Sequence, residues 1–202
     1  MSAERQRRLI IGLTGASGAM LGVRALDACR ELGVETHLVV SRAAVLTLSQ
    51  ETSLTAGELN ARAAVRYAVA QVGAPVASGS FPTMGMLIAP CSVKTMSEIA
   101  TGVTSSLLTR AADVTLKERR PLVLMVRESP LHLGHLRTLT ALAEMGAIIA
   151  PPMPAFYAHP ASIEAMIDQC VGRALDLFGL SWSAVQRWGE GLQAVGEGVA
   201  ER

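Results

Sequence analysis

Short apolar runs alternate along this chain with segments whose apolar positions recur at helical spacing. Arg8–Leu13 predicts a first strand and Met20–Leu32 a helix, ended by Gly33. Val34–Val40 predicts a second strand and Arg42–Gln50 a short helix. The Ala-rich stretch Thr55–Val72 is predicted to be mostly helical. Met86–Ala89 predicts a short buried strand closed by Pro90, and Val93–Ala100 and Ser105–Lys117 suit helices. Leu122–Val126, after Pro121, predicts another buried strand. Leu133–Met145 predicts a helix stopped by Gly146, followed by a strand over Ala147–Ala150. Ser162 caps a long helix that runs to about Phe178, with Gly179 at its end. This β-α alternation predicts an α/β fold: a Rossmann-like, doubly wound parallel sheet in a three-layer αβα sandwich. Residues 1–180 form one domain on this reading. The tail 181–202, with Trp182 and Trp188, is set apart, either packed on a neighbouring subunit or loose.

Ligands of such sheets sit outside the carboxyl ends of the strands, and those ends carry the polar residues here. The first strand leads into Gly15-Ala16-Ser17-Gly18. Small residues let the backbone approach a ligand, and the N–H groups of the following helix favour an anion, most often phosphate. The spacing is neither G-x-G-x-x-G nor a P-loop, so a βα turn that binds nothing is the alternative. The later strands lead into Ser41-Arg42, Pro90-Cys91-Ser92-Val93-Lys94-Thr95, Arg127-Glu128-Ser129-Pro130 and Pro151 to Tyr157. Five polar loops at one edge favour a site.

Composition narrows the field. The net charge of +1 makes no electrostatic case for nucleic acid or an anionic membrane. Half of the residues are hydrophobic and the mean hydropathy is +0.35, yet no apolar run reaches the ~18 residues of a membrane span. The excess is expected in strands covered on both faces and in subunit interfaces, hence a homo-oligomer. Met1–Arg8 is polar and does not resemble a signal peptide. Cys29, Cys91 and Cys170 are widely spaced without a C-x-x-C pair, which fits a reducing, cytoplasmic setting and argues against a disulfide framework or a zinc site.

Several blocks stand out in order: Thr14-Gly15-Ala16-Ser17-Gly18, Pro90-Cys91-Ser92, Arg110-Ala111-Ala112-Asp113-Val114, the run Leu116 to Leu124, and Phe156-Tyr157. Together they resemble the UbiX-type flavin prenyltransferases, once described as aromatic acid decarboxylases. Arg187-Trp188-Gly189-Glu190 also fits some members. The resemblance implies that reduced FMN and dimethylallyl phosphate are substrates and that no metal is needed. The isoprenyl unit is joined to flavin N5 and C6, closing a fourth ring. The prenylated FMN then serves a UbiD-type decarboxylase, and the assembly is expected to be a dodecamer.

Carried over residue by residue, the resemblance implies that Gly15, Ala16 and Ser17 hold the flavin phosphate region, with Ser17 close to the reacting centre. Ser41, Ser92, Val93, Lys94, Thr95 and Arg127 would contact the flavin. Tyr157 and Arg173 would bind dimethylallyl phosphate, joined by Arg110 and Lys117 across a subunit boundary, and Trp188 would flank the prenyl group. Glu51 would be the acid/base near C6 and Glu128 an orienting carboxylate.

The chemistry has use for these residue types. Departure of phosphate from an allylic carbon needs cations aimed at the leaving oxygens, and Arg is the better bidentate partner. Solvated helix surface is the other reading of Arg110, Lys117 and Arg173. With only 3% aromatic residues, Tyr157 and Trp188 are scarce candidates for an electron-rich wall. Glu51 follows an apolar helical stretch, and burial there is expected to raise its pKa. His132 and His135 share a helix face, but without a third ligand nearby they read as structural. Cys91 reads as a small loop residue beside the flavin. The rival readings are a phosphopantothenoylcysteine-type flavin decarboxylase and a non-catalytic flavin carrier. The first is opposed by the absence of Asn from Pro152-Met153-Pro154-Ala155, and the second has no need of the Arg110, Lys117, Arg173 trio.

Overall fold

The computed structural model describes residues 6–189. Among them, six parallel strands form one sheet in the order β3-β2-β1-β4-β5-β6. The strands are β1 (Arg8–Leu13), β2 (Glu35–Val40), β3 (Val65–Tyr67), β4 (Met86–Cys91), β5 (Leu122–Val126) and β6 (Ile148–Ile149). The helices are α1 (Ala19–Glu31), α2 (Arg42–Glu51), α3 (Ala56–Ala61), α4 (Val93–Ala100), α5 (Leu107–Lys117), α6 (Leu133–Glu144) and α7 (Ile163–Asp176).

Strands β4 and β5 are apolar throughout, and β1 is apolar after Arg8, because both of their faces are covered. Side chains alternate between two cores. Leu9, Ile11 and Leu13 of β1, Leu87 and Ala89 of β4 and Val123 and Met125 of β5 meet α1 and α7. Ile10, Met86, Ile88, Leu122 and Leu124 face α4, α5 and α6 on the other side. Helix α1 lies close on the sheet: a Cβ on Gly22 would come within 2.5 Å of the Ala89 carbonyl oxygen and of Leu13. Asp27 of α1 is 5% exposed, and Arg62, Arg24 and Arg30 surround its carboxylate.

Two expectations are corrected. Thr55–Val72 is not mostly helical. A Thr55–Glu58 capping box starts a helix of one and a half turns, and Val65–Tyr67 then pairs with His37–Val39 as an edge strand. The open hydrogen-bonding edge of β2 outweighs the intrinsic helix preference of the alanines, which tertiary pairing readily overrides. The strand expected to close at Pro90 runs through it to Cys91, with a register shift between Ile88 and Cys91 where proline offers no N–H. Cys91 is therefore a fully buried strand residue and not a loop residue.

The start of the tail is also decided. Leu180, Trp182 and Val185 are buried on the chain's own core. Residues 190–202 of that tail lie outside the described residues.

Candidate functional site

The strand order reverses between β1 and β4, the place where a doubly wound sheet opens a crevice. Thr14, 2% exposed, closes the floor of that crevice. Its hydroxyl accepts the Ser92 N–H at 2.8 Å and donates to the Pro90 carbonyl at 2.7 Å. The sequence pattern assigns Thr14 no role. Its signal is a buried hydroxyl at a strand end.

Above this floor lies a cavity of about 480 Å³ bounded by Gly15 and by three helix starts. Ser41, Ser92 and Ser106 each cap a helix by accepting the N–H three residues on, from Ala44, Thr95 and Thr109. The starts of α2, α4 and α5 thus border one space, and their dipoles favour an anion there, although the Leu107 amide of α5 is already bonded to the Val69 carbonyl. Ser106 and Thr109 also line the cavity, joined by a reciprocal cap in which Thr109 stands where the sequence signature has Glu or Gln, so the pattern does not announce it. Lys94 and Glu98 both line this cavity and pair with each other at 3.0 Å, so the lysine charge is already partnered. Val93 supplies the first turn of the same helix.

A second cavity, of about 240 Å³, has Ser17, Gly18, Arg127, Pro152 and Pro154 on one side and the apolar face of α7 on the other. From the end of α2, Glu51 comes back to Gly18, which lines this cavity. Its carboxylate accepts the N–H groups of Gly18 and Ala19, each at 2.8 Å. Gly18 adopts a left-handed conformation (φ 104°) and has no side chain with which to cap α1, so Glu51 is the cap, supplied from outside the helix.

This arrangement corrects two expectations. Partial burial does oppose the Glu51 charge. The Ser17 hydroxyl, the Ala19 and Gly18 amides and the charge of Arg127 outweigh it and hold the carboxyl below its ordinary range. The pKa is lowered, not raised. The first amides of α1 are also taken by the chain's own carboxylate. They are not free for a phosphate, and the anion-receptive amides are those of the larger cavity.

A third, smaller cavity of about 110 Å³ adjoins the second through Cys170 and is lined by Arg173. The Arg173 guanidinium pairs with Asp176. Tyr157 stands edge-on to Trp188, with ring centroids 5.2 Å apart at 90°. Arg110 and Lys117 line none of these three spaces. Both lie on α5, partly exposed, and pair with Asp113 and Glu118. Glu128 is exposed and accepts the N–H of its neighbour Ser129 at 2.9 Å. A separate cavity of about 440 Å³ over Val40, Leu59 and Tyr67 holds none of the expected residues.

His132 caps α6 through Nδ1 and stacks on His135 at 3.6 Å, and no cluster of three metal-ligating side chains occurs among the described residues. Burial pushes the Cys91 thiol up to about 12, which leaves it neutral and a poor nucleophile. No helix among the described residues is long and apolar enough to cross a membrane.

The Flavoprotein family model matches residues 1–177. The chain is 55% identical over 176 residues to the flavin prenyltransferase UbiX of Escherichia coli strain K12, covering 87% of this chain and 93% of that protein. Among solved structures, AnUbiX in complex with FMN and dimethylallyl pyrophosphate superposes with a TM-score of 0.90 at 48% identity, covering 91% of this chain and 98% of that one. A dodecameric FMN-dependent UbiX-like decarboxylase from Escherichia coli O157:H7 superposes with a TM-score of 0.88 at 47% identity, covering 90% and 98%. Likeness at this level over nearly the whole fold sets aside the cysteine-decarboxylase and carrier readings, and the chain belongs to the UbiX-type flavin prenyltransferases.

Proposed function

We propose that this chain joins the dimethylallyl group of dimethylallyl phosphate to N5 and C6 of reduced FMN and releases prenylated FMN for a UbiD-type decarboxylase. The observation that carries this reading is the single turn Gly15–Gly18, which borders two spaces. One is ringed by helix starts and suits a flavin phosphate; the other has Ser17 and Arg127 around a partly apolar hollow, with Glu51 bound to the Gly18 amide at its edge. The larger cavity, about 480 Å³, falls in the ~300–1,000 Å³ range of cofactor pockets, and its hydroxyls and helix-start amides, with Arg42 and the Lys94–Glu98 pair on its wall, fit a phosphomonoester.

Reduced flavin supplies the electron-rich positions that are alkylated. The chain's residues do the rest. Gly15, Ala16, Ser41, Ser92 and Thr95, with the amides of Val93 and Lys94, hold the flavin, and Arg127 neutralises charge beside it. Arg173 receives the phosphate of the prenyl donor, and Arg110 and Lys117 complete that clamp from a neighbouring chain. Their charge stabilises the leaving oxygens strongly in a space that excludes water. Tyr157 and Trp188 offer ring faces to the allylic fragment, each worth ~0.5–2 kcal/mol toward a cation. Glu51, kept ionised, accepts the proton lost from C6 while Ser17 holds its orientation, and Glu128 orients from the next loop. Pairs formed within one chain, Arg110 with Asp113 and Lys117 with Glu118, are exchanged for phosphate contacts on this reading.

The shared clamp requires a homo-oligomer, and a dodecamer like that of the solved relative is the expected form. The three free thiols and a reduced flavin substrate support a cytoplasmic setting. The test is direct. Purified protein with reduced FMN and dimethylallyl phosphate, in EDTA, is expected to yield a new flavin mass. Dimethylallyl pyrophosphate in a parallel reaction identifies the donor. Unchanged FMN with both donors overturns the proposal.

A further inference from the structure

Beyond α7 the chain folds back along the helix it has just left. Three pins hold it there. Gln169, 4% exposed, donates from Nε2 to the Gln186 carbonyl at 2.8 Å and accepts the Gln186 N–H through Oε1 at 3.0 Å. Val185 sits directly on Gly172, where a Cβ would lie 1.9 Å from Val185 Cγ2. Asp176 takes two guanidinium nitrogens of Arg187, at 2.9 and 2.6 Å, and pairs with Arg173 as well. This strap ends at Trp188, whose ring meets Tyr157 edge-on.

We propose that the strap is the device that sets Trp188 against Tyr157, and that Gln169 and Gly172 are positioning residues for prenyl transfer. The inference rests on the functional reading above. Trp188 is 71% exposed within the chain, so burial there does not fix its ring. Its backbone is fixed instead by the pins at residues 185, 186 and 187. Gln169 satisfies both polar groups of Gln186, and the missing side chain of Gly172 is the socket for Val185. Asp176 ties the same strap to Arg173, so the aromatic wall and the expected phosphate ligand share one carboxylate.

The test uses Gly172→Ala, whose Cβ collides with Val185, and the double variant Gly172→Ala/Val185→Ala. The second change removes Cγ2, and the atoms that remain lie 3.4 and 3.5 Å from the new Cβ, at ordinary contact distance. In Gly172→Ala, amide exchange over residues 180–188 is expected to accelerate while α1 and the sheet stay protected. FMN affinity is expected to hold, and kcat for prenylated FMN to fall about 3- to 30-fold, by a larger factor than KM rises. The double variant is expected to recover both strap protection and kcat. Gln169→Leu removes the hydrogen bonds without a clash and carries the same test if Gly172→Ala does not fold. A strap that loosens while kcat stays at the wild-type value overturns the inference alone. So does a kcat that stays low after Val185→Ala has restored protection. Wild-type protein that makes no prenylated flavin overturns the functional reading and this one with it.

Discussion

The Thr14 hydroxyl joins the end of β1 to the start of α4, accepting the Ser92 N–H at 2.8 Å. The same hydroxyl donates to Pro90 at 2.7 Å, so one buried side chain holds together the two loops between which the strand order reverses. Ser92 in turn caps α4 through Thr95. The position of the anion-receptive helix start therefore depends on a residue from a different strand.

Thr14→Val keeps the shape and removes both hydrogen bonds, leaving a buried amide and a buried carbonyl unpaired. A loss of about 1–3 kcal/mol in urea unfolding is expected. FMN affinity is expected to weaken as the α4 start drifts, by roughly tenfold in a fluorescence titration. Wild-type affinity in a destabilised Thr14→Val variant would show that the floor is structural only.

Gly15 faces Ala43 so closely that a Cβ would lie 2.4 Å from that methyl. Gly15→Ala is expected to push the start of α2 outward and weaken FMN binding by about 5- to 100-fold, the range of an overpacking cost of ~1–3 kcal/mol. Ala43→Gly opens the missing space, and the double variant should recover most of the affinity. Calorimetric titration of the three proteins decides whether the effect is steric in this way.

Glu51 carries a pH signature. Its folded pKa lies below the ordinary 4.5, so its contribution to stability is present above about pH 4.5 and is lost as the pH falls through the folded value. Glu51→Gln should flatten the acid dependence of the urea midpoint in that window. If Glu51 is the base, turnover at neutral pH should also fall ~10²–10⁴-fold with FMN binding retained. Normal turnover in Glu51→Gln would confine it to capping α1, and the released phosphate would become the base.

Arg110 and Tyr157 serve one site from different chains on the proposed reading. Light scattering is expected to show a large oligomer and no active monomer. Arg110→Ala and Tyr157→Ala, which removes the ring, should each lose most of the activity alone. Co-assembled in equal amounts, they should regain up to about a quarter of wild-type activity, because some sites receive both intact residues. Mixed oligomers as inactive as the parents would place both residues in a site of one chain.

The apolar runs determined β1, β2 and β5 and, through their alternation with helical segments, the doubly wound class. A strand covered on both faces must be apolar at every position, as Leu122–Val126 is, and that is visible without coordinates. Ser162, Gly33 and Gly179 likewise announced helix ends through local chemistry alone. The specific reaction was legible only through family-like blocks such as Leu116 to Leu124. What the tertiary structure decided has a common physical cause: it depends on partners far along the chain. Val65–Tyr67 is a strand because β2 offers an open edge, which outweighs the helix preference of its neighbours. Glu51 is ionised because folding brings it to amides 32 and 33 residues away, and local burial predicted the opposite shift. The chain after α7 is seated because Gly172 leaves room for Val185, a fit that neither residue reveals until both are in place.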